Sequence, residues 1–542
     1  MSQQAIAVFV FFGISCLFLP AASAQTWQQL QTLGGKENDL LTGIACNEQS
    51  NCFASTAFRG QLTIDGQELT SQGGEDFLLL LRGKDNKYHY FVHGGSVQDD
   101  EVAAQIATPD GGLICVGTYW SKLILGGEAV LSSRDGAKAI FLARYHPSGK
   151  LIWIKNIEGT GLKNAADLVL ASDGSFYVGG YFSDSLRIEK KQLFTTAISA
   201  SFLAKYSARG DVQWIKTLDG KGNTRAVALA TLPGGRICMS GSFDEEVYFS
   251  DTTFVANTND LDVFVACWDQ NGALQWSRKA GGVYDASPIS MAADASGNIF
   301  VAGNIVGVLR FGNNINIQSR DGNADVFLAQ YTSSGIPKQA KVMGGDLVQQ
   351  LSKLSLWRNR IYLSGYFQGD LKVDNFSISA GNRFQGYVAA LDTNGHGQWL
   401  QMLSSSEGIF PYGLAAIGTD SLLVGGAYQG LVKLGNVELP KSTSFNLFFG
   451  ALLPTLTAVQ EKLPTGNRFY VYPNPTDGLI QIESSENLPD FDIRVFDQWG
   501  RLMFFQKNTP TILASDWPSG MYWAQITSHN ITEWRRVMVV HR

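Results

Sequence analysis

Carboxylates stand at recurring places in this 542-residue chain, and carboxylates brought together can do chemistry. Asp39, Asp99 with Asp100, and Asp285 each precede an apolar run. Gathered on one rim, they could hold a cation or act as acid and base on a glycan. The competing reading is local, because an Asp beside a turn accepts the backbone N–H groups of that turn. Several repeats have no acidic residue at the matching place, and this favours the local role. A second series, Asp76, Asp262 and Asp325, precedes another strand-like run, and its periodicity reads as a tie between a loop and its strand. We take Asp39, Asp100 and Asp285 as the candidate ligand-binding set.

Other constellations are weaker. His89 and His93 would share a metal on a helix, but on a strand that spacing separates them by about 13 Å. There is no Gly-x-Ser-x-Gly elbow, and neither Gly159-Thr160-Gly161 nor Gly220-Lys221-Gly222 continues into a nucleotide-binding pattern. We therefore assign no catalytic residue, no metal and no cofactor. Among aromatic residues, Tyr119-Trp120 and Phe410-Pro411-Tyr412 break the periodicity and are the ones suited to stacking on a sugar ring. The periodic tryptophans read instead as packing residues.

The elements that must position these groups repeat with a period of about 62 residues. Trp27, Trp153, Trp214, Trp276 and Trp399 mark one place in the repeat, with Tyr90 substituting once and the copy near Gln339 lacking an aromatic. Each unit runs through an apolar stretch, a Gly-containing turn, a strand ending in Gly plus an aromatic, a variable hairpin, a strand such as Phe141–Tyr145, and a Trp strand. Short apolar or alternating runs bounded by Gly, Asn, Asp and Ser predict four antiparallel strands per unit. Repetition of such units favours a β-propeller over a linear solenoid, which would need polar caps at its ends. The first unit opens with a Trp strand, Thr26 to Leu33, and the last stops after its third strand, Asn446 to Leu453. Joining them completes a seventh blade and leaves no open edge. The grammar resembles bacterial β-propeller repeats of exported proteins, a likeness that implies a fold and no particular function.

Composition agrees with an all-β globular protein: 58 Gly, 15 Pro, 45% hydrophobic and 11% aromatic residues. A formal charge of −6 with interspersed signs argues against a nucleic-acid partner. Residues 5–19 are apolar and lead into Ala22-Ser23-Ala24, so residues 1–24 read as a signal peptide cleaved before Gln25, although no basic residue precedes the apolar run. Cys16 raises lipidation as an alternative, but Gly13 stands where a lipobox has Leu. Of the five later cysteines, Cys46 and Cys52 flank a turn and suit a disulfide. Cys115, Cys238 and Cys267 read as small buried hydrophobes.

The tail carries the most specific pattern. Tyr472-Pro473-Asn474-Pro475 with Asp477-Gly478 is followed by Val495-Phe496-Asp497, Gly500-Arg501-Leu502 and Gly520-Met521-Tyr522. A basic-plus-valine stretch from Arg535-Arg536 ends the chain. Strands are predicted at Phe469–Tyr472, Leu479–Glu483, Asp492–Asp497, Arg501–Gln506, Met521–Thr527 and Arg535–Val540, as a small β-sandwich. These motifs resemble the type A C-terminal sorting domain of the Bacteroidetes type IX secretion system. The resemblance implies export by Sec with signal peptidase, then passage through the type IX translocon with removal of the tail by sortase-like machinery. Anchoring to surface lipopolysaccharide or release would follow.

The expected organisation is thus a signal peptide (1–24), a seven-bladed propeller (25–454), a linker (455–468) and a sorting domain (469–542). Three functions fit: a surface binding or adhesion module for a glycan or protein, an extracellular polysaccharide-acting enzyme using the acidic rim, and a scaffold of a surface complex. The lack of a catalytic signature favours the first.

Overall fold

A computed structural model describes residues 26–453, apart from 258, 259, 419, 420 and 436, and residues 469–539, apart from 473–475, 477, 485–490, 498–500, 519, 529 and 530. The expected signal peptide and linker, and the sorting residues Pro473, Asn474, Pro475, Asp477 and Gly500, lie outside the described residues. The chain divides into two compact units, Met1–Thr455 and Leu456–Arg542.

The larger unit is a succession of four-stranded antiparallel meanders. The first comprises Asp39–Cys46, Cys52–Phe58, Asp76–Arg82 and Tyr88–Gly95. Unit two begins at Glu101, unit three at Lys163, unit four at Thr224, unit five at Ala286, unit six at Gln349 and unit seven at Gly408. The fourth strand of unit seven is Thr26–Leu33, paired antiparallel with Ser442–Leu453. The leading strand of each unit packs on that of the next, and that of unit seven packs on that of unit one. Strands such as Cys52–Phe58, Ala200–Tyr206 and Asp325–Tyr331 are buried at every residue, because both faces of the sheet are covered.

Every leading strand carries a β-bulge at the same place: Thr42, Ala103, Ala166, Val227, Ile289, Ser352 and Tyr412 are skipped in the pairing with the second strand. A bulge sharpens the twist and re-aims the residues around it. It also explains two prolines inside strands. Pro288 and Pro411 stand just before the bulge residue on a strand whose other edge has no partner, so a missing N–H costs no ladder bond.

The variable hairpins have a common job that their sequences conceal. The hairpin of unit two (Lys122–Leu125 with Glu128–Ser132) pairs with the fourth strand of unit one. Those of units three, five and seven pair with the fourth strands of units two, four and six. In unit four the partner is the two-residue extension Gly220–Lys221, and in units one and six the contact shortens to single bridges, Gly35↔Leu62 and Gly344↔Lys372. Each outer strand is therefore covered along part of its edge by its neighbour's hairpin, which removes a site for unwanted strand addition.

The recurring tryptophans lock neighbouring units. Trp153, Trp214 and Trp276 each lie under the positive-φ glycine of the next unit's last turn: Gly210, Gly272 and Gly335. Trp214 and Trp276 also donate their indole N–H to carbonyls of those turns, Gln270 at 3.0 Å and Ser333 at 3.2 Å. In unit one the place belongs to Phe91, beneath Gly149, while Tyr90, expected there from the sequence, is exposed. A bulge between Leu79 and Leu80 shifts the fourth strand by one residue and turns Tyr90 outward.

A second departure concerns cysteine. Cys238 and Cys267 sit directly opposite each other on adjacent strands of unit four and are disulfide-bonded; only Cys115 is free among the described residues. Twenty-nine residues separate the pair in sequence, and only the strand register brings them together. Cys46 and Cys52 are bonded across the first turn of unit one.

The C-terminal unit has two antiparallel sheets. One orders Phe469–Tyr472, Leu479–Ser484 and Thr511–Leu513; the other orders Leu502–Lys507, Asp492–Asp497, Gly520–Ser528 and Ile531–Val539. Thr511–Leu513 is an additional strand, and the last strand starts four residues earlier than its basic pair predicts. Both sheets contribute to one core that includes Phe469, Ile480, Ile493, Val495, Ile512, Tyr522 and Val537.

The Trp lock gives a stability test. A Cβ at Gly335 (φ +78) would stand 2.5 Å from the Trp276 ring, whereas one at Gly234 (φ +80) meets nothing within 4 Å. Gly234→Ala carries only the backbone cost, about 1 kcal/mol, and Gly335→Ala is expected to cost about 2 kcal/mol more, read from denaturant midpoints.

Candidate functional site

The expected acidic rim resolves into two adjacent register positions with different roles. Counting back three residues from each bulge gives Asp39, Asp100, Lys163, Thr224, Ala286, Gln349 and Ile409. Four of these reach back to a backbone group four residues earlier. The Asp39 carboxylate accepts the Gly35 N–H at 2.8 Å. Asp100 accepts the Ser96 N–H, the Ser96 hydroxyl at 2.8 Å and the Trp120 N–H at 3.2 Å. Lys163 Nζ donates to the Gly159 carbonyl at 2.8 Å, and Gln349 Oε1 accepts from Gly345 at 3.1 Å. A carboxylate, an ammonium and an amide thus tie the same loop, so most units need no acid there. Asp39 and Asp100 are 0% and 1% exposed.

Asp285 belongs one residue earlier, with Asn38 and Asp99. Its carboxylate accepts the Leu261 N–H at 3.0 Å; Asp99 takes Glu75 N–H at 2.9 Å and Asn38 takes Phe445 N–H at 3.1 Å. Each tie runs to the preceding unit: Leu261 and Glu75 directly precede its third strand, and Phe445 lies within it. Asp285 is exposed, in contrast to Asp39 and Asp100, and ties a different loop from theirs. The second acidic series is also spoken for. Asp76 accepts the Gln72 N–H and pairs with His93 at 2.8 Å, Asp262 binds Lys279 at 3.1 Å, and Asp325 accepts the Arg320 N–H at 2.6 Å. Each of these Asp residues lies against a glycine in the fourth strand or directly after it, Gly95, Gly281 or Gly344, where a Cβ would collide with it. His89 bonds Asp65 and Asp85, so the two histidines serve different partners.

One residue further along the leading strands, the positions become Leu40, Glu101, Asn164, Arg225, Ser287, Gln350 and Phe410. Here the ring is polarised. Lys138 donates to Asn164 Oδ1 at 2.9 Å, Asn164 Nδ2 to the Tyr181 hydroxyl at 2.9 Å, and Arg225 lies over the Tyr181 ring at 5.5 Å. Asn304 continues this polar arc by donating to Gln350 at 2.6 Å.

Units six and seven together carry an aromatic cluster. Phe410 is the hub: Tyr366, Phe445 and Phe384 pack on it edge-on or tilted with centroids at 5.1, 5.7 and 5.9 Å, and Tyr412 stacks at 6.4 Å. All five rings are partly exposed. Burial raises the Tyr366 hydroxyl pKa and, with Tyr366 nearby, pushes that of Tyr412 up to about 12, so both stay neutral donors. Phe410 and Tyr412 were legible as aperiodic aromatics, but Tyr366, Phe384 and Phe445 were not, being distant in sequence. Of the other pair singled out, Tyr119 is buried with its hydroxyl on Asn156 at 2.9 Å, and Trp120 is partly exposed.

In the C-terminal unit the retained motif residues are structural. Tyr522 is buried and donates to the Pro518 carbonyl at 2.8 Å. Arg535 Nε donates to the Phe469 carbonyl at 3.0 Å, tying the last strand to the first. Gly520 pairs with Val539 and Tyr472 with Gln481, Arg536 pairs with Trp523, and the Gly478 N–H meets Thr476 Oγ1 at 3.2 Å. Residues 470–540 match the family model described as a secretion system C-terminal sorting domain. The tail is a type IX secretion sorting domain. The protein is therefore exported by the type IX machinery to the cell surface or beyond.

The remainder has more distant likenesses. An uncharacterized WD repeat-containing protein of Acanthamoeba polyphaga mimivirus is 26% identical over 168 residues, 28% of this chain and 12% of that protein. The regulatory protein FlaEY of Caulobacter vibrioides is 25% identical over 267 residues, 46% of this chain and 27% of its own length. The chain thus spans about an eighth to a quarter of the curated relatives it matches. Among solved structures, YCF48 bound to D1 peptide aligns over 80% of this chain and 97% of its own at 9% identity, with a TM-score of 0.37.

Asp39 supplies a pH test. Burial raises its carboxyl from 3.8 to about 7, and its second oxygen is buried with no partner, so the folded state prefers the protonated acid. The stability it lends is complete below pH 3.8 and is lost as pH rises through about 7. Asp39→Asn keeps the acceptor without the charge. Relative to it, the parent protein is expected to lose on the order of 2 kcal/mol in urea-unfolding free energy between pH 5 and pH 8. Parallel profiles would refute the assignment.

Proposed function

We propose that this protein is a secreted seven-bladed β-propeller with a small C-terminal β-sandwich. In this reading the last blade is closed by the N-terminal strand, and the mouth of the ring is a non-catalytic binding site for a glycan. The observation that carries the reading is the five-ring cluster around Phe410 continuing, through the Gln350–Tyr366 pair, into the polar arc that runs back to Lys138. A sugar has apolar C–H faces and a polar hydroxyl edge. An aromatic wall beside amide, hydroxyl and guanidinium groups meets both demands, and partly exposed rings make the contact without prior rearrangement. The acidic residues serve the mouth indirectly: Asp100 holds the loop that leads into it, and Asp285 ties one unit to the previous one.

Sec and signal peptidase would act first, on residues 1–24, and the type IX translocon with its sortase-like protease would act last, on the tail. Deleting residues 469–542 is expected to leave the propeller in the periplasm, as cell fractionation with an antibody to the propeller would reveal. A truncated chain that still reached the medium or surface would contradict this.

Binding is tested by glycan-array screening of the secreted protein together with a polysaccharide hydrolysis assay. Phe410→Ala and Tyr366→Ala should each weaken the strongest array hit by about tenfold, the worth of one aromatic contact, while Asp100→Asn leaves it within a few-fold. Hydrolysis abolished by Asp285→Ala would replace the binding reading with the enzymatic one. Equal binding by the Phe410 and Tyr366 variants would remove the mouth as the site.

A further inference from the structure

Beyond the bulges, toward the ends of the leading strands, lies a second cavity that neither the export signal nor the mouth uses. It measures about 490 Å³ and is walled by Ile44, Ile106, Leu170, Leu354 and Leu414 among others. These residues come from the leading strands of units one, two, three, six and seven. The turn Cys46–Gln49, closed by the Cys46–Cys52 disulfide, forms part of its lip. This size and this composition are those of small-molecule sites, which are mostly apolar with a few placed polar groups.

The placed polar group is Lys353. It directly follows the bulge of unit six, and Asp167 directly follows the bulge of unit three, on opposite sides of the ring. Asp167 is committed to the backbone: its carboxylate oxygens accept the Leu229 N–H at 2.8 Å and the Leu168 N–H at 2.9 Å. Lys353 is paired through its backbone with Ser364, and its ammonium interacts electrostatically with Asp167. The other charged residue on the wall, Glu48, is exposed at the lip. Lys353 is partly exposed and is the single cationic residue among those lining this mostly apolar wall, so it is the group that would meet an anionic head.

We propose that this cavity binds a small amphipathic carboxylate, its apolar part against Ile44, Ile106, Leu170 and Leu414 and its carboxylate on Lys353. The site stands whether or not the mouth at the other end binds a glycan.

The test is calorimetric titration of the full-length protein with decanoate, and with decanol and decyltrimethylammonium as neutral and cationic counterparts. Decanoate should saturate one site per chain, at least about tenfold more tightly than decanol, with no site for the cation. Lys353→Met keeps the stem and should weaken decanoate by about tenfold or more without lowering the thermal midpoint. Ala45→Phe, which adds a ring to a partly exposed position of the chamber wall, should abolish binding, while Phe410→Ala leaves it unchanged. Equal decanoate affinity in the Lys353→Met protein, equal binding of decanol, or no saturable binding up to about 1 mM would each overturn the proposal.

Discussion

The pairing of Thr26–Leu33 with Ser442–Leu453 is the interaction on which the larger unit depends. Without it, unit seven would expose a full strand edge and the leading strand of unit one would lose its neighbour across the closure. Loop-closure entropy rises only with the logarithm of chain length, so joining strands more than 400 residues apart costs little more than joining nearer ones. Closure is reinforced from two sides. Asn38 accepts a hydrogen bond from Phe445, 407 residues away, and the hairpin of unit one bridges back to Gly35.

The same logic operates between neighbouring units, with some of the devices missing at individual junctions. Three devices recur: an outer aromatic beneath the next unit's turn glycine, a hairpin laid on the previous unit's outer strand, and a polar side chain tying the leading loop. None is tied to one residue type. Trp yields to Phe91, Asp39 yields to Lys163 or Gln349, and the hairpins share almost no sequence. What persists is geometry, because each place must supply a hydrogen-bond partner or fill a volume set by the neighbouring unit. This tolerance lets the inner rim diverge from unit to unit, so that one arc of the mouth becomes aromatic and another polar.

Sequence reasoning reached the repeat, the strand grammar and the tail because all three are written in local residue patterns. It grouped Asp39, Asp100 and Asp285 because all precede a strand, but a shift of one residue separates buried ties from an exposed inter-unit tie. In an extended chain one residue reverses the side a group faces, and only pairing defines which side that is. The Cys238–Cys267 bond and the shift from Tyr90 to Phe91 were hidden for the same reason. The aromatic cluster was half legible: Phe410 and Tyr412 are neighbours in sequence, whereas Tyr366, Phe384 and Phe445 join them across three other strands.

The sequence by itself determined an all-β repeat with complementary ends and a tail addressed to the type IX secretion system. Turn glycines, strand alternation and short sorting motifs act locally and can be read one segment at a time. The tertiary structure decided which carboxylates are buried, which rings meet around Phe410, and that Lys353 lines an apolar chamber. Those outcomes depend on register, on the seven bulges and on the order of units around the ring, and all three exist only once the strands have paired.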